Sequence, residues 1–222
     1  MFNEIKEKIK EMIGRPQYIT PICDQTLYGT NANSFAGNSL HNSNVLVVTN
    51  LLPQAEKISK IDIRLKCENC ESEILFLQEE DITVEQIHDS GQAFTGEFDH
   101  IINLVYIGDE NNHDYFLLTD PMKSVYRLLQ QECDYLIGRI QYATICTAIL
   151  KGPTDNISRA SSLAGMESLI KGLGGVMAKK GPIVNGLSAN ESISFEDVLA
   201  AAVYLSSKYG QILAGEVLRM NI

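Results

Sequence analysis

Apolar residues along this chain fall into short unbroken runs, separated by stretches in which they recur every three to four positions. The runs at 45–48 (VLVV) and 101–105 (IINLV) have the pattern of parallel strands buried on both faces. Further strands are expected at 61–65, where apolar and polar residues alternate, and at 73–77, 142–150, 182–185 and 214–220. Helical spacing predicts a helix opening at Pro53, since proline is tolerated in a first turn, and others at 83–88, 121–137, 158–179 and 195–206. Met1, Phe2, Ile5, Ile9 and Ile13 share one face of a short N-terminal helix ending at Gly14, and residues 15–43 read as an irregular polar extension. From residue 44 onward strand and helix alternate. Right-handed crossovers turn that order into a doubly wound parallel sheet, a Rossmann-like α/β domain over 44–222 with helices on both faces. Strand 45–48 is expected at its centre.

Length and composition narrow the function. At 222 residues, with 45% hydrophobic and 21% charged residues, the chain can build a sizeable core. Its net charge of −10 argues against a nucleic-acid surface, which requires basic patches. No apolar run reaches 18 residues, and MFNEIKEKIKEMIG is not a secretory signal. Five cysteines without such a signal point to a reducing, cytoplasmic setting. Cys67 and Cys70 have half the spacing of a zinc site, but no second pair completes it, so no metal is expected.

The turn after strand 45–48 raises the sharpest question. In dinucleotide-binding folds that turn is glycine-rich, so that backbone N–H groups reach a pyrophosphate at the helix N-terminus. Here it reads Thr49-Asn50-Leu51-Leu52-Pro53, with no glycine between Gly37 and Gly91.

Several segments, taken in order, carry a resemblance. Residues 169–186 (LIKGLGGVMAKKGPIVNG) look like a long helix feeding a strand that usually ends G-I-R-V-N. Phe195-Glu196-Asp197-Val198 looks like P-E-D-V, Tyr204-Leu205-Ser206-Ser207 like F-L-A-S, and Ala214-Gly215-Glu216-Val217-Leu218 like T-G-Q-V-L. Asp81-Ile82-Thr83 resembles a D-V-[ST] after the third strand, and residues 99–103 a strand ending in N-N-A-G. Together they resemble the short-chain dehydrogenase/reductase family, in particular its ketoacyl-carrier-protein reductases. The match is good over about 140–220, faint over 45–138 and absent before 44.

The resemblance implies a Rossmann-like fold and an NADP-dependent ketoreductase site, and the chain departs from that site at each point. Thr49 stands at the threonine of T-G-x-x-x-G-x-G, whose glycines are missing, and Asn103 at the first asparagine of N-N-A-G, whose glycine is Tyr106. Leu51, Leu52 and Tyr106 are expected to block the end of strand 45–48. The span from Thr49 to Asp99 is short by about one helix–strand unit, a truncation of the first half. Arg159 and Leu163 stand where the family's catalytic tyrosine and lysine belong, and Pro121 replaces its helix asparagine. Thr147, near the catalytic serine, is the one retained hydroxyl.

These departures imply a non-catalytic relative without a cofactor. It would serve as a structural or regulatory subunit, in a homo-oligomer or beside an active ketoreductase of fatty-acid or polyketide synthesis. The helices at 121–137 and 159–179 and the strand at 214–220 would form its subunit contacts. Gly165, Gly172, Gly174 and Gly175 would allow close approach there. Two other functions remain open: an oxidoreductase using NADP through an atypical site, and a module binding a small acyl or anionic ligand, with Arg159 as its grip.

Overall fold

The structure, a computed structural model, describes residues 39–78, 82–92, 97–108, 113–138, 143–152 and 157–220. The expected N-terminal helix and most of the polar extension lie outside these residues, as do Asp81 and the side chain of Arg159.

The elements alternate as β1 (Asn44–Thr49), α1 (Glu56–Cys67), β2 (Glu71–Phe76), α2 (Val84–Gln92), β3 (His100–Ile107), α3 (Pro121–Leu136), β4 (Thr144–Lys151), α4 (Ile157–Met177), β5 (Ile183–Asn190), α5 (Phe195–Ser206) and β6 (Val217–Met220). The six strands form one sheet in the order β2-β1-β3-β4-β5-β6. Every pairing in it is parallel. β1 is thus an inner strand, second from the β2 edge rather than central. One helix–strand unit, α1–β2, separates β1 from the Ile82-Thr83 segment that was expected after a third strand.

Successive side chains of a strand face opposite layers. On one side Val45, Val47, Ile102 and Leu104 pack with Ile61 and Leu65 of α1 and with Val198, Leu199 and Ala202 of α5. On the other side Leu46, Val48, Ile101 and Val105 pack with Ile87 of α2, Val125 and Leu129 of α3, and Met166 and Ile170 of α4. Burial on both faces explains the unbroken apolar runs of β1 and β3.

The segment 61–65 is helical, not a strand. Ile61 and Leu65 satisfy either period, but a strand would bury Ile63 with them. Instead Ile63 is 39% exposed and Arg64 is buried, holding Glu68 one turn on at 2.7 Å. The helix starts at Glu56, after a turn containing Pro53.

At the opposite end of the sheet from the phosphate turn, Thr144 donates its hydroxyl to the Ser206 carbonyl and therefore accepts from His100 Nδ1 at 2.9 Å. His100 is neutral, because burial lowers it to about 4.

Candidate functional site

The strand order reverses between β1 and β3, and in such sheets the crevice at the carboxyl ends of those strands is where ligands bind. In this chain the crevice is occupied by the chain itself. The Thr49 hydroxyl donates to the Leu104 carbonyl and accepts the Leu51 N–H, which fixes the turn. Asn50, fully buried, donates its amide to the carbonyls of Tyr106 (3.1 Å) and Phe116 (2.8 Å) and accepts the Tyr106 N–H at 2.8 Å. One side chain thereby satisfies three backbone groups.

Residues 114–116 run antiparallel to the turn. Leu51 bridges Tyr115, Leu52 N–H donates to Asp114 O, and Phe116 N–H donates to Asn50 O, both at 2.7 Å. Tyr106 stacks on Tyr115 with ring centroids 4.3 Å apart and planes 18° from parallel. The phenol of Tyr106 lies over Gly108 and Gly152, where an added Cβ would come within 1.8 and 2.3 Å of its oxygen. Lys57, in the first turn of α1, pairs with Asp114 and stands 5.2 Å from the Tyr115 ring centroid. Burial pushes the Tyr115 phenol well above its ordinary range, with Asp114 adding to the rise, so it is no acid–base group at neutral pH.

Leu51 and Tyr106 therefore sit where the sequence placed them, in the crevice, while Leu52 is half-buried beside it. The Tyr115 strap and the role of Asn50 had no sequence signal. The N–H groups of Leu51, Leu52 and Ala55 are all engaged and Pro53 has none, so the turn offers no row of free donors to an anion.

The described positions matched to catalytic groups, Thr147, Leu163 and Pro121, are not gathered at a surface. Thr147 is fully buried in mid-β4, where its hydroxyl accepts from Asn103 Nδ2 at 3.2 Å. That amide also donates to Glu132 Oε2 at 2.8 Å, from α3. Glu132 is fully buried too, and its Oε1 and the Asn103 Oδ1 have no partner. Leu163 packs in the α3/α4 layer, and Pro121 is the first residue of α3, behind an Asp120 cap that accepts the Lys123 N–H.

Among the described residues no three His, Cys, Asp or Glu side chains form a metal-binding group. The Cys70 thiol donates to the Leu65 carbonyl, and burial pushes it up to about 12, which leaves it neither thiolate nor ready ligand. A second polar group lies near the carboxyl ends of β4–β6. There Glu167 of α4 holds Arg219 (Nε at 3.1 Å) and stands 3.7 Å from Lys151 Nζ.

The four glycines of α4 divide. Gly174 lies against Gly215, where a Cβ would come within 2.1 Å of backbone, and Gly165 faces the Met122 thioether. Gly172 and Gly175 face open space.

No protein-family model and no curated protein matches the chain. Solved structures do. A short-chain dehydrogenase from Mycobacterium smegmatis aligns over 86% of this chain and 97% of its own, at 15% identity and a TM-score of 0.62. A mutant short-chain dehydrogenase/reductase from Serratia marcescens aligns over 82% and 97%, at 14% identity and 0.61. An NADH-dependent reductase complexed with NAD aligns over 83% and 97%, at 14% and 0.60. Six parallel strands, helices on both faces and these likenesses together give the chain a divergent short-chain dehydrogenase/reductase fold.

Proposed function

We propose that this protein is a non-catalytic relative of the short-chain dehydrogenases, acting as a structural or regulatory subunit. The observation that carries the reading is the filled crevice. Asn50, Leu51, Tyr106 and Tyr115 take the volume that a dinucleotide would need, and they do so with satisfied hydrogen bonds and a stacked aromatic pair. Opening it would expose two aromatic rings and strand three backbone groups. The second support is the catalytic positions: Leu163 is a core side chain and Thr147 is committed to Asn103.

The outer faces of α3 and α4 suit a partner. Met122 and Tyr126 of α3 and Val176 of α4 are 43%, 50% and 54% exposed, and Gly172 and Gly175 leave room beside them. A second copy or an active ketoreductase of fatty-acid or polyketide type would cover this face. Titration with NADH and NADPH, followed by calorimetry and cofactor fluorescence, should give no saturable signal. Micromolar affinity for either cofactor overturns the reading. Light scattering should give a mass above the monomer's for the protein alone or mixed with such a reductase.

A further inference from the structure

Buried inside the α3 side of the sheet is a carboxyl group that neither the fold nor the crevice requires to be charged. Glu132 shares the inward stripe of α3 with Val125, Leu128, Leu129, Cys133 and Leu136, and its side chain ends at Asn103 of β3. The Asn103 amide has two hydrogens, and both are used: one on Glu132 Oε2 at 2.8 Å, the other on Thr147 Oγ1 at 3.2 Å. Two acceptors remain without a donor, and they belong to the same two groups, Glu132 Oε1 and Asn103 Oδ1. A buried acceptor without a donor costs about 1–3 kcal/mol, and more if it is charged.

A carboxylic acid and a primary amide are complementary. The amide N–H donates to the acid's carbonyl oxygen, and the acid O–H donates back to the amide oxygen. One proton on Glu132 therefore satisfies both orphaned acceptors. We propose that Glu132 is held as the neutral acid, its proton joining Oε1 to Asn103 Oδ1 in a closed acid–amide ring, and that this ring makes the attachment of α3 to the sheet alkali-sensitive.

The electrostatics agree. Burial raises Glu132 to about 8, against which the Asn103 hydrogen bond works. No charge on a neighbouring element opposes this. From β3 and β4 it meets Asn103 and Thr147, which do not ionise. On α3 itself the Cys133 thiol is pushed up to about 12 by burial, with Glu132 and Asp134 adding to it. Glu85, His88 and Asp89 of α2 are exposed, as is Lys171 of α4, and Glu167 of α4 is engaged with Arg219. His100 lies in the opposite layer, against Thr144.

The sign follows from proton binding. The native state holds a proton that the unfolded chain gives up near 4.5, so stability falls as pH rises from there through about 8, and is level above it. Within that window the contribution of Glu132 to the folded-to-unfolded ratio, read as the difference from E132Q, should drop with a slope approaching tenfold per pH unit. His100 acts in the other direction and lower down, losing stability as pH falls from 6.5 towards about 4.

The test compares the whole protein with E132Q, whose side-chain amide can close the same ring without a titrating proton. In urea unfolding across the window, the wild type should lose stability relative to E132Q. Hydrogen exchange along α3 should show the same divergence. Glutamate labelled with carbon-13 at the side-chain carboxyl should show one resonance titrating far above the others, absent in E132Q. A parallel pH course for the two proteins, or a Glu132 resonance already ionised at neutral pH, overturns the proposal and points to a water between the two oxygens. If E132Q does not fold, the carbon-13 titration of the wild type decides alone.

Discussion

The two ends of this sheet solve the same problem differently. At the carboxyl ends of β1 and β3 the chain closes over itself with long side chains: a fully hydrogen-bonded asparagine, a stacked tyrosine pair, and a lysine over the Tyr115 ring. Under α4, at β5 and β6, closure comes instead from the absence of side chains. Gly174 lies on Gly215, and Gly186 lies under Val217 and Ile170. The first arrangement fills a space that was available to be filled. The second lets backbones approach, and leaves no space. A change of residue should therefore act by making a cavity at one end and by overpacking at the other.

That contrast predicts its largest effect at Tyr106. Tyr106→Ala removes a buried ring and should cost about 3–5 kcal/mol in urea unfolding. A loss under about 1 kcal/mol would mean that the crevice is loosely held and could admit a ligand. Next come the glycines. Gly174→Ala should destabilise by about 1–3 kcal/mol, since its Cβ meets backbone that cannot swing away. Gly172→Ala, which meets open space, should be neutral or stabilise by up to about 1 kcal/mol in the monomer. If Gly172→Ala lowers the mass in solution while leaving the monomer's stability intact, the outer face of α4 is an interface. Smallest is Lys57→Met, which removes a part-exposed ion pair and should cost no more than about 1 kcal/mol.

Where packing is local, the sequence was legible. α5 spans the expected 195–206 because Ser194 caps it, its hydroxyl accepting the Asp197 N–H, with Glu196 and Asp197 in the first turn. β1 and β3 announced themselves by runs that only a doubly covered strand needs. The segment 61–65 misled because Ile61 and Leu65 are spaced for both periods. Glu132 carries a signal in the sequence, an acid in register with Leu128 and Leu136 on an otherwise apolar stripe. The crevice was legible in what it lacked, its glycines, and illegible in what replaced them. No local pattern connects Asn50 with Phe116, since their meeting depends on β1 pairing with β3.

That dependence has a kinetic consequence. The contacts of Asn50 span 56 residues to Tyr106 and 66 to Phe116. Neither can form in a short fragment, and both require β1 and β3 to be in register already. Long-range pairings of this kind carry a large entropy of closure and come late. The plug is therefore a lock set after the sheet exists. Asn50→Ala should leave the refolding rate nearly unchanged and speed unfolding, so that the residue governs how long a folded molecule lasts rather than how fast one is made.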